Sequence, residues 1–303
     1  MLIPSTVADE SGRITTDAAL CCGCGACVTV CGSQCFCLKD DKVSSNAGIL
    51  WDCFGCGHCM AVCPTGAISV SGRALSPEDI FPLPPAEDEA GYAPFLTLLE
   101  RRRSIREFLD EPVSEDHIQK IIAAVETAPM GIPPSEVGLL ILDSREKVRE
   151  FSKDTCEVIA ASQWLAAPWF LNLTRFFRSK EDDAPFRNFI GPLMREYTSQ
   201  MAQGRDVILY DAPLAMYFYG SPYSGEDPMI AATYAMLAGE TLGLGTCMIG
   251  GVHPFLQHGS KGARLREKYG VQYKSRTGLV VIFGYHAKLH KKGIRRRLAR
   301  IHR

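Results

Sequence analysis

Eleven of the thirteen cysteines lie between Cys21 and Cys63, and eight of them form one pattern written twice. The copies are Cys21, Cys24, Cys27, Cys31 and Cys53, Cys56, Cys59, Cys63, the second closed by Pro64. Gaps of two, two and three residues are the run that holds a cubane iron–sulfur cluster. Three thiolates so spaced wrap one cubane on a tight loop, and the fourth, on the following helical turn, points at the other cluster. The spacing predicts one 4Fe-4S cluster on Cys21, Cys24, Cys27 and Cys63, and another on Cys53, Cys56, Cys59 and Cys31. Zinc requires only four ligands as two pairs, fewer than this pattern supplies. A disulfide framework suits short secreted chains with an even cysteine count, which this chain does not have. Cys22, Cys35 and Cys37 are surplus and read as small packing residues near a cluster.

A second stretch with chemistry is Arg101-Arg-Arg-Ser-Ile-Arg-Glu-Phe108, with four arginines and a serine in six residues. Guanidinium forks match phosphate oxygens and Ser104 offers a hydroxyl. The same residues also suit a solvated basic helix end, favoured by the helix dipole. Two later stretches tilt the balance toward a ligand. Ala128-Pro-Met-Gly-Ile-Pro-Pro134 is a rigid loop suited to covering a flat ring. Leu242 to Val252 runs from a helix into a strand and ends near Gly250 and Gly251, where main chain can approach a ligand without a Cβ in the way. Gly243, Gly245 and Gly250 have the wrong gaps for a dinucleotide fingerprint. There is no Walker loop and no H-E-x-x-H. Cys247 has no evident base beside it and reads as a core thiol.

These residues must be positioned by two unlike domains. The second cysteine copy starts 32 residues after the first, so residues 13–73 read as an internal duplication. Arg13–Asp17 and Ala67–Val70 read as its strands, after an irregular segment over residues 1–12. So small a unit has little core of its own, and the clusters are expected to hold it together. Residues 76–93 carry several prolines and acids and read as an extended connector. Beyond it, helices and strands alternate. Phe95, Leu98 and Leu99 start a helix; Ser114 caps one through Val125, and Ser144 caps another. Asp227-Pro228 reads as an N-cap with proline following, opening a small-residue helix to about Leu242. A strand buried by its apolar run is expected at Gly138–Leu142, and further strands at Trp169–Leu173, Leu214–Tyr219 and Gly278–Phe283. The fold class expected is α+β, with a small iron–sulfur domain (1–75), the connector, and a larger domain over 94–303.

Composition excludes several classes. A net charge of −1 and 46% apolar residues describe an ordinary globular chain, with no overall basic character for nucleic acid. No apolar run reaches the roughly 18 residues that a membrane span needs. Residues 1–10 lack the basic start and apolar core of a signal peptide, so a reducing, oxygen-poor cytoplasm is expected. The run from Lys288 to Arg303 holds eight Lys or Arg. It has no interleaved stacking aromatics, so a nucleic-acid arm is the weaker reading.

Over residues 13–73 the chain resembles a bacterial two-cluster ferredoxin, departing at Gly32, where the first copy would usually carry proline. Over residues 94–303 it resembles the nitroreductase family of FMN enzymes. The resemblance rests on Arg102-Arg-Ser-x-Arg106, the Ala128-Pro129 loop, Gly243-Leu-Gly-Thr246, and Gly284-Tyr285 followed by basic residues. It implies that Arg102, Arg103, Ser104 and Arg106 hold the FMN phosphate and ribityl chain. Arg295 and Arg297 would complete the phosphate site, with Lys292 or Arg296 fitting nearly as well. Pro129, Met130, Gly131 and Ile132 would touch the flavin from the other subunit of a homodimer, and Ile249, Gly250 and Gly251 would lie against the isoalloxazine. Pro133-Pro134-Ser135-Glu136 departs from the family's Asn-x-Gln-Pro at this loop.

Cubane clusters move single electrons, and a flavin can accept them singly and deliver them in pairs. The expectation is an iron–sulfur flavoprotein drawing on a ferredoxin- or flavodoxin-like donor and reducing a nitroaromatic, quinone or activated alkene. No side chain is required as an acid or base; flavin N5 carries the chemistry. NAD(P)H at the flavin remains an open donor. A dehydrogenase running in the oxidative direction and a non-catalytic electron carrier or redox sensor are the alternatives.

Overall fold

The computed structural model describes residues 10–46, 52–174, 176 and 180–302. Residues 1–9 of the expected irregular start lie outside them, as does Arg303 of the basic run. The chain divides into two compact units, Met1–Glu89 with Met130–Glu136, and Ala90–Pro129 with Val137–Arg303.

The first unit repeats a simple pattern. β1 (Arg13–Thr16) leads to a cysteine loop, a short helix α1 (Ala26–Val30) and the hairpin β2 (Phe36–Lys39) and β3 (Lys42–Ser45). The second copy gives α2 (His58–Ala61) and β4 (Ile68–Ser71), and β4 pairs antiparallel with β1, Arg13 opposite Ser71. Gly25 and Gly57 hold left-handed backbone at φ 70° and 74° just before α1 and α2. Side-chain-bearing residues pay for that conformation, so glycine lets each cysteine loop turn straight into its helix. The core is small: Phe36, Val43, Met60, Ile68 and Val70 surround Cys27, Cys35 and Cys59.

The connector contains two single-turn helices, Pro77–Asp79 and Ala86–Asp88. The next helix, α3 (Tyr92–Arg101), begins inside the residues assigned to it. Met130–Glu136, expected within the larger domain, groups with the first unit, where the Arg73 guanidinium donates to the Pro133 carbonyl.

In the second unit, α4 (Glu115–Glu126) is capped by Ser114, whose Oγ accepts from His117 N at 3.3 Å. β5 (Val137–Leu142) precedes α5 (Arg145–Ser162), capped by Ser144. The excursion that follows holds α6 (Pro168–Leu173), α7 (Lys180–Pro185) and α8 (Gly191–Ala202). Then come β6 (Leu214–Gly220), α9 (Asp227–Thr241), β7 (Gly245–Ile249), α10 (His253–Gln257), α11 (Gly259–Lys268) and β8 (Gly278–Gly284). The sheet runs β5-β6-β8-β7, every pair antiparallel. Tyr217 and Ile282 face one core with Phe151 and Val158, while Met216, Phe218 and Phe283 face the other with Ile121 and Ala232. Burial on both faces explains why β6 and β8 are unbroken apolar runs.

Three expectations are corrected. Trp169–Leu173 is helical, because Pro168 opens a helix there and only Leu171 of the aromatic run is buried. The cap of α9 is Glu226, which places Asp227 in the first turn. In β5 only Leu142 is fully buried, so this strand lies at the sheet's partly covered edge.

Small residues let α9 lie directly on the sheet. A Cβ at Gly239 would come within 2.8 Å of the Phe283 ring, which is fully buried and has no room to yield. Gly239→Ala is expected to destabilise the second unit by about 1–3 kcal/mol through overpacking. Thermal unfolding checks this, and an unchanged midpoint would refute the packing account.

Candidate functional site

In the first unit the eight motif cysteines sort into two groups. A small cavity is lined by Cys21, Cys24 and Cys27 of the first copy together with Cys63 of the second. Burial pushes the Cys27 thiol up, and the sulfurs of Cys63 and Cys24 add to the shift. In the other group, burial and then Cys53, Cys56 and Cys31 push the Cys59 thiol up to about 12. These two buried thiols ionise readily only beside a positive partner such as a metal, whose binding releases their protons. At Cys63 burial is outweighed by hydrogen bonds from Thr65, Ala67 and Gly66, which draw the thiol down. Main-chain N–H groups already point at them: Gly23 and Val43 donate to Cys21 Sγ at 3.4 and 3.3 Å, and Gly55 to Cys53 Sγ at 3.4 Å. Cys35 and Ala67 donate to Cys31 and Cys63 Sγ, each at 3.3 Å. Among the described residues no three His, Cys, Asp or Glu side chains close around a single metal ion. Eight cysteines in two groups of four exceed what a lone zinc needs and match the spacing of cluster ligands.

In the second unit, the arginine segment leaves α3 at Arg102, whose N–H still bonds to Leu98 O at 3.0 Å. It then runs extended along the open edge of β7: Ser104 bridges Thr246, and Ile105 N donates to Thr246 O at 2.9 Å. A Cβ at Gly245 would strike Ile105 at 2.7 Å, so glycine there lets the segment dock. Alternation along this edge turns Ser104 and Arg106 toward Cys247; burial pushes that thiol up, and Arg106, Ser104 and Arg102 offset part of the rise. The Arg106 guanidinium sits 5.5 Å from the Tyr210 ring centre.

Arg101, Arg102 and Arg103 line a cavity of about 980 Å³ with Lys291, Lys292, Arg295 and Arg296 of the C-terminal segment. Glu240 reaches the same cavity; its Oε1 accepts from Thr246 Oγ1 at 2.6 Å. Burial pushes its carboxyl up, while Thr246 and the Arg102 charge pull it down. At the other end of β7, Ile249 is buried, and Gly250 and Gly251 are exposed. A Cβ at Gly251 would meet nothing nearer than Tyr197 Oη at 3.7 Å, which leaves main chain open to a flat ligand.

The nitroreductase family model matches residues 99–285, more than half of the chain. The chain belongs to the nitroreductase family. A 4Fe-4S binding domain model matches residues 52–69, which cover the second cysteine copy. A curated relative, an FMN reductase [NAD(P)H] from Bacillus subtilis (strain 168), is 30% identical over 159 residues. That alignment covers 51% of this chain and 53% of the relative, so the chain spans about half of the relative's length. The crystal structure of a nitroreductase with bound FMN from Bacteroides fragilis NCTC 9343 shares the fold. It has a TM-score of 0.50 and 18% identity, over 69% of this chain and 98% of that one.

Of the residues expected at this family's site, Arg102, Arg103 and Arg295 line the cavity, as do both alternatives, Lys292 and Arg296. Ser104 and Arg106 stand beside Cys247, and Arg297 is not among the lining residues. Met130 and Ile132 are exposed, at 39% and 43%. Arg101 belongs to the four-arginine stretch that the sequence marked as an anion site. Lys291 and Glu240 were not named among the site residues, although Lys291 was visible in the basic run. Glu240 looked like an ordinary acid near a helix end, and only the fold of β7 back along α9 brings it to Thr246 and Arg102.

Proposed function

We propose that this nitroreductase-family chain is an FMN-dependent oxidoreductase fed through its own iron–sulfur segment. When bound, two 4Fe-4S clusters and FMN supply the conversion of single electrons, from a ferredoxin- or flavodoxin-like donor, into two-electron reduction of a nitroaromatic, quinone or activated alkene. Cys21, Cys24, Cys27 and Cys63 hold one cluster; Cys53, Cys56, Cys59 and Cys31 hold the other. The observation that carries this is the exchange of fourth cysteines: Cys63 stands with the first copy and Cys31 with the second. A packing core has no use for such an exchange, whereas paired cubanes require it.

Arg102, Arg103, Ser104 and Arg106 bind the FMN phosphate and ribityl chain, and Arg295, with Arg297 or its neighbours, closes over the phosphate. Glu240, whose carboxyl feels the Arg102 charge, stands at the wall of the same cavity. Gly250 and Gly251 admit the ring system, with Ile249 behind them. Pro129, Met130, Gly131 and Ile132 cover the flavin of a second copy in a homodimer, for which their exposed apolar side chains are suited. The thirteen unpaired cysteines fit a reducing cytoplasm. Among the described residues no helix is long and apolar enough to cross a membrane.

Anaerobic purification with iron, sulfide and flavin quantified tests the assignment. The expected content is about eight irons and one FMN per chain. Flavin without iron would overturn it, and iron without flavin would equally do so.

A further inference from the structure

The two cysteine copies can be compared position by position, because a constant offset of 32 residues relates Cys21 to Cys53 and Cys31 to Cys63. The main chain repeats around the fourth cysteine of each copy. Cys35 N donates to Cys31 Sγ, and its counterpart Ala67 N donates to Cys63 Sγ, both at 3.3 Å. Both residues are buried, at 2% and 3% exposure. Their side chains differ, however: one site has a methyl group where the other has a thiol hydrogen-bonded to Cys31 and close to Cys53.

A second pair differs in the same sense. A Cβ on Gly55 would touch Arg73 at 3.3 Å, and a Cβ on its counterpart Gly23 would touch Asp41 O at 2.7 Å. Arg73 and Asp41 thus occupy equivalent places. Arg73 is buried at 3% exposure with its charge felt at Cys53, whereas Asp41 is an exposed acid.

From these two asymmetries we infer that the duplicated clusters have different potentials, the one on Cys31, Cys53, Cys56 and Cys59 lying higher, with Cys35 and Arg73 setting the difference. This rests on the two-cluster reading above. A ligating Cys31 is a thiolate with no proton to give, so the Cys35 thiol is the donor in their hydrogen bond. Donors and cations beside cluster sulfurs favour the more negative, reduced state and so raise the potential. Contributions of the opposite sense come mainly from exposed groups. Exposed Lys42 donates to Cys21 O at 2.7 Å, Val43 N donates to Cys21 Sγ at 3.3 Å, and Thr65 Oγ1 stands 3.8 Å from Cys63 Sγ. Glu10 offsets part of the Arg73 charge, and the Asp52 carboxylate bears on Cys35. Water screens the buried thiol and guanidinium less, so they outweigh these groups. The first electron accepted therefore settles on the Cys31 set.

An anaerobic redox titration of the full chain, followed by electron paramagnetic resonance, tests this. Two separate one-electron steps are expected, and Cys56→Ser abolishes the upper one. Cys35→Ala shifts the upper step downward, leaves the lower step in place and keeps about eight irons. Ala67→Cys raises the lower step, which supplies an independent readout should Cys35→Ala fold poorly. Coincident steps in the unaltered chain, loss of the lower step in Cys56→Ser, or an unmoved upper step in iron-replete Cys35→Ala would each overturn the inference. An unaltered chain with fewer than about eight irons defeats the two-cluster reading instead, so the two failures are distinguishable.

Discussion

Arg102→Ala weakens FMN binding by about 10- to 100-fold, the loss expected when a charge-assisted hydrogen bond of about 1.5–3 kcal/mol is removed. The size follows from how the side chain is held. Arg102 caps α3, lines the cationic cavity and lies close to the Glu240 carboxylate, itself fixed by Thr246. Its guanidinium lies in the field of that carboxylate at the cavity wall, where its planar fork can pair with an arriving phosphate. Arg102→Lys should recover part of the loss, since it keeps the charge but not the planar fork. Flavin fluorescence titration of the apoprotein measures both. A dissociation constant for Arg102→Ala within about twofold of the unaltered chain would place the phosphate elsewhere.

Cys56→Ser separates the two halves of the molecule functionally. Its side chain is exposed in the cysteine loop, and its sulfur belongs to the group around Cys59. Serine is a harder, poorer ligand for iron–sulfur clusters. Ferredoxin-driven turnover is expected to fall by about 10- to 100-fold, comparable to the loss on disturbing a metal site's supporting shell. Turnover driven by dithionite, which reaches the flavin directly, is retained. Equal loss with both donors, or no loss with either, would mean that the clusters do not lie between donor and flavin.

Much of this was legible in the sequence because the signals were local. Cysteine gaps need no knowledge of tertiary structure: the repeat at 32 residues and the exchange of Cys31 and Cys63 follow from spacing alone. Ser114 and Ser144 announced their helices for the same reason, a cap being a contact three residues long. What stayed hidden was decided by distant partners. Trp169–Leu173 looks like a strand until Pro168 is placed at the head of a helix and its aromatic rings are left mostly exposed. Glu240 gains its role only when β7 returns along α9, and Met130–Glu136 joins the first unit through long-range contacts that no periodicity records. The difference between Cys35 and Ala67 was present in the sequence. It acquired meaning once both were seen buried against the corresponding sulfurs.

One measurement bears most directly on the account: flavin absorbance of the anaerobic chain, followed after mixing with reduced ferredoxin. The account predicts bleaching of the flavin band together with the broad iron–sulfur absorbance, and loss of that bleaching in Cys56→Ser. Flavin that bleaches at the same rate when iron has been removed, or that never bleaches with ferredoxin present, would contradict it.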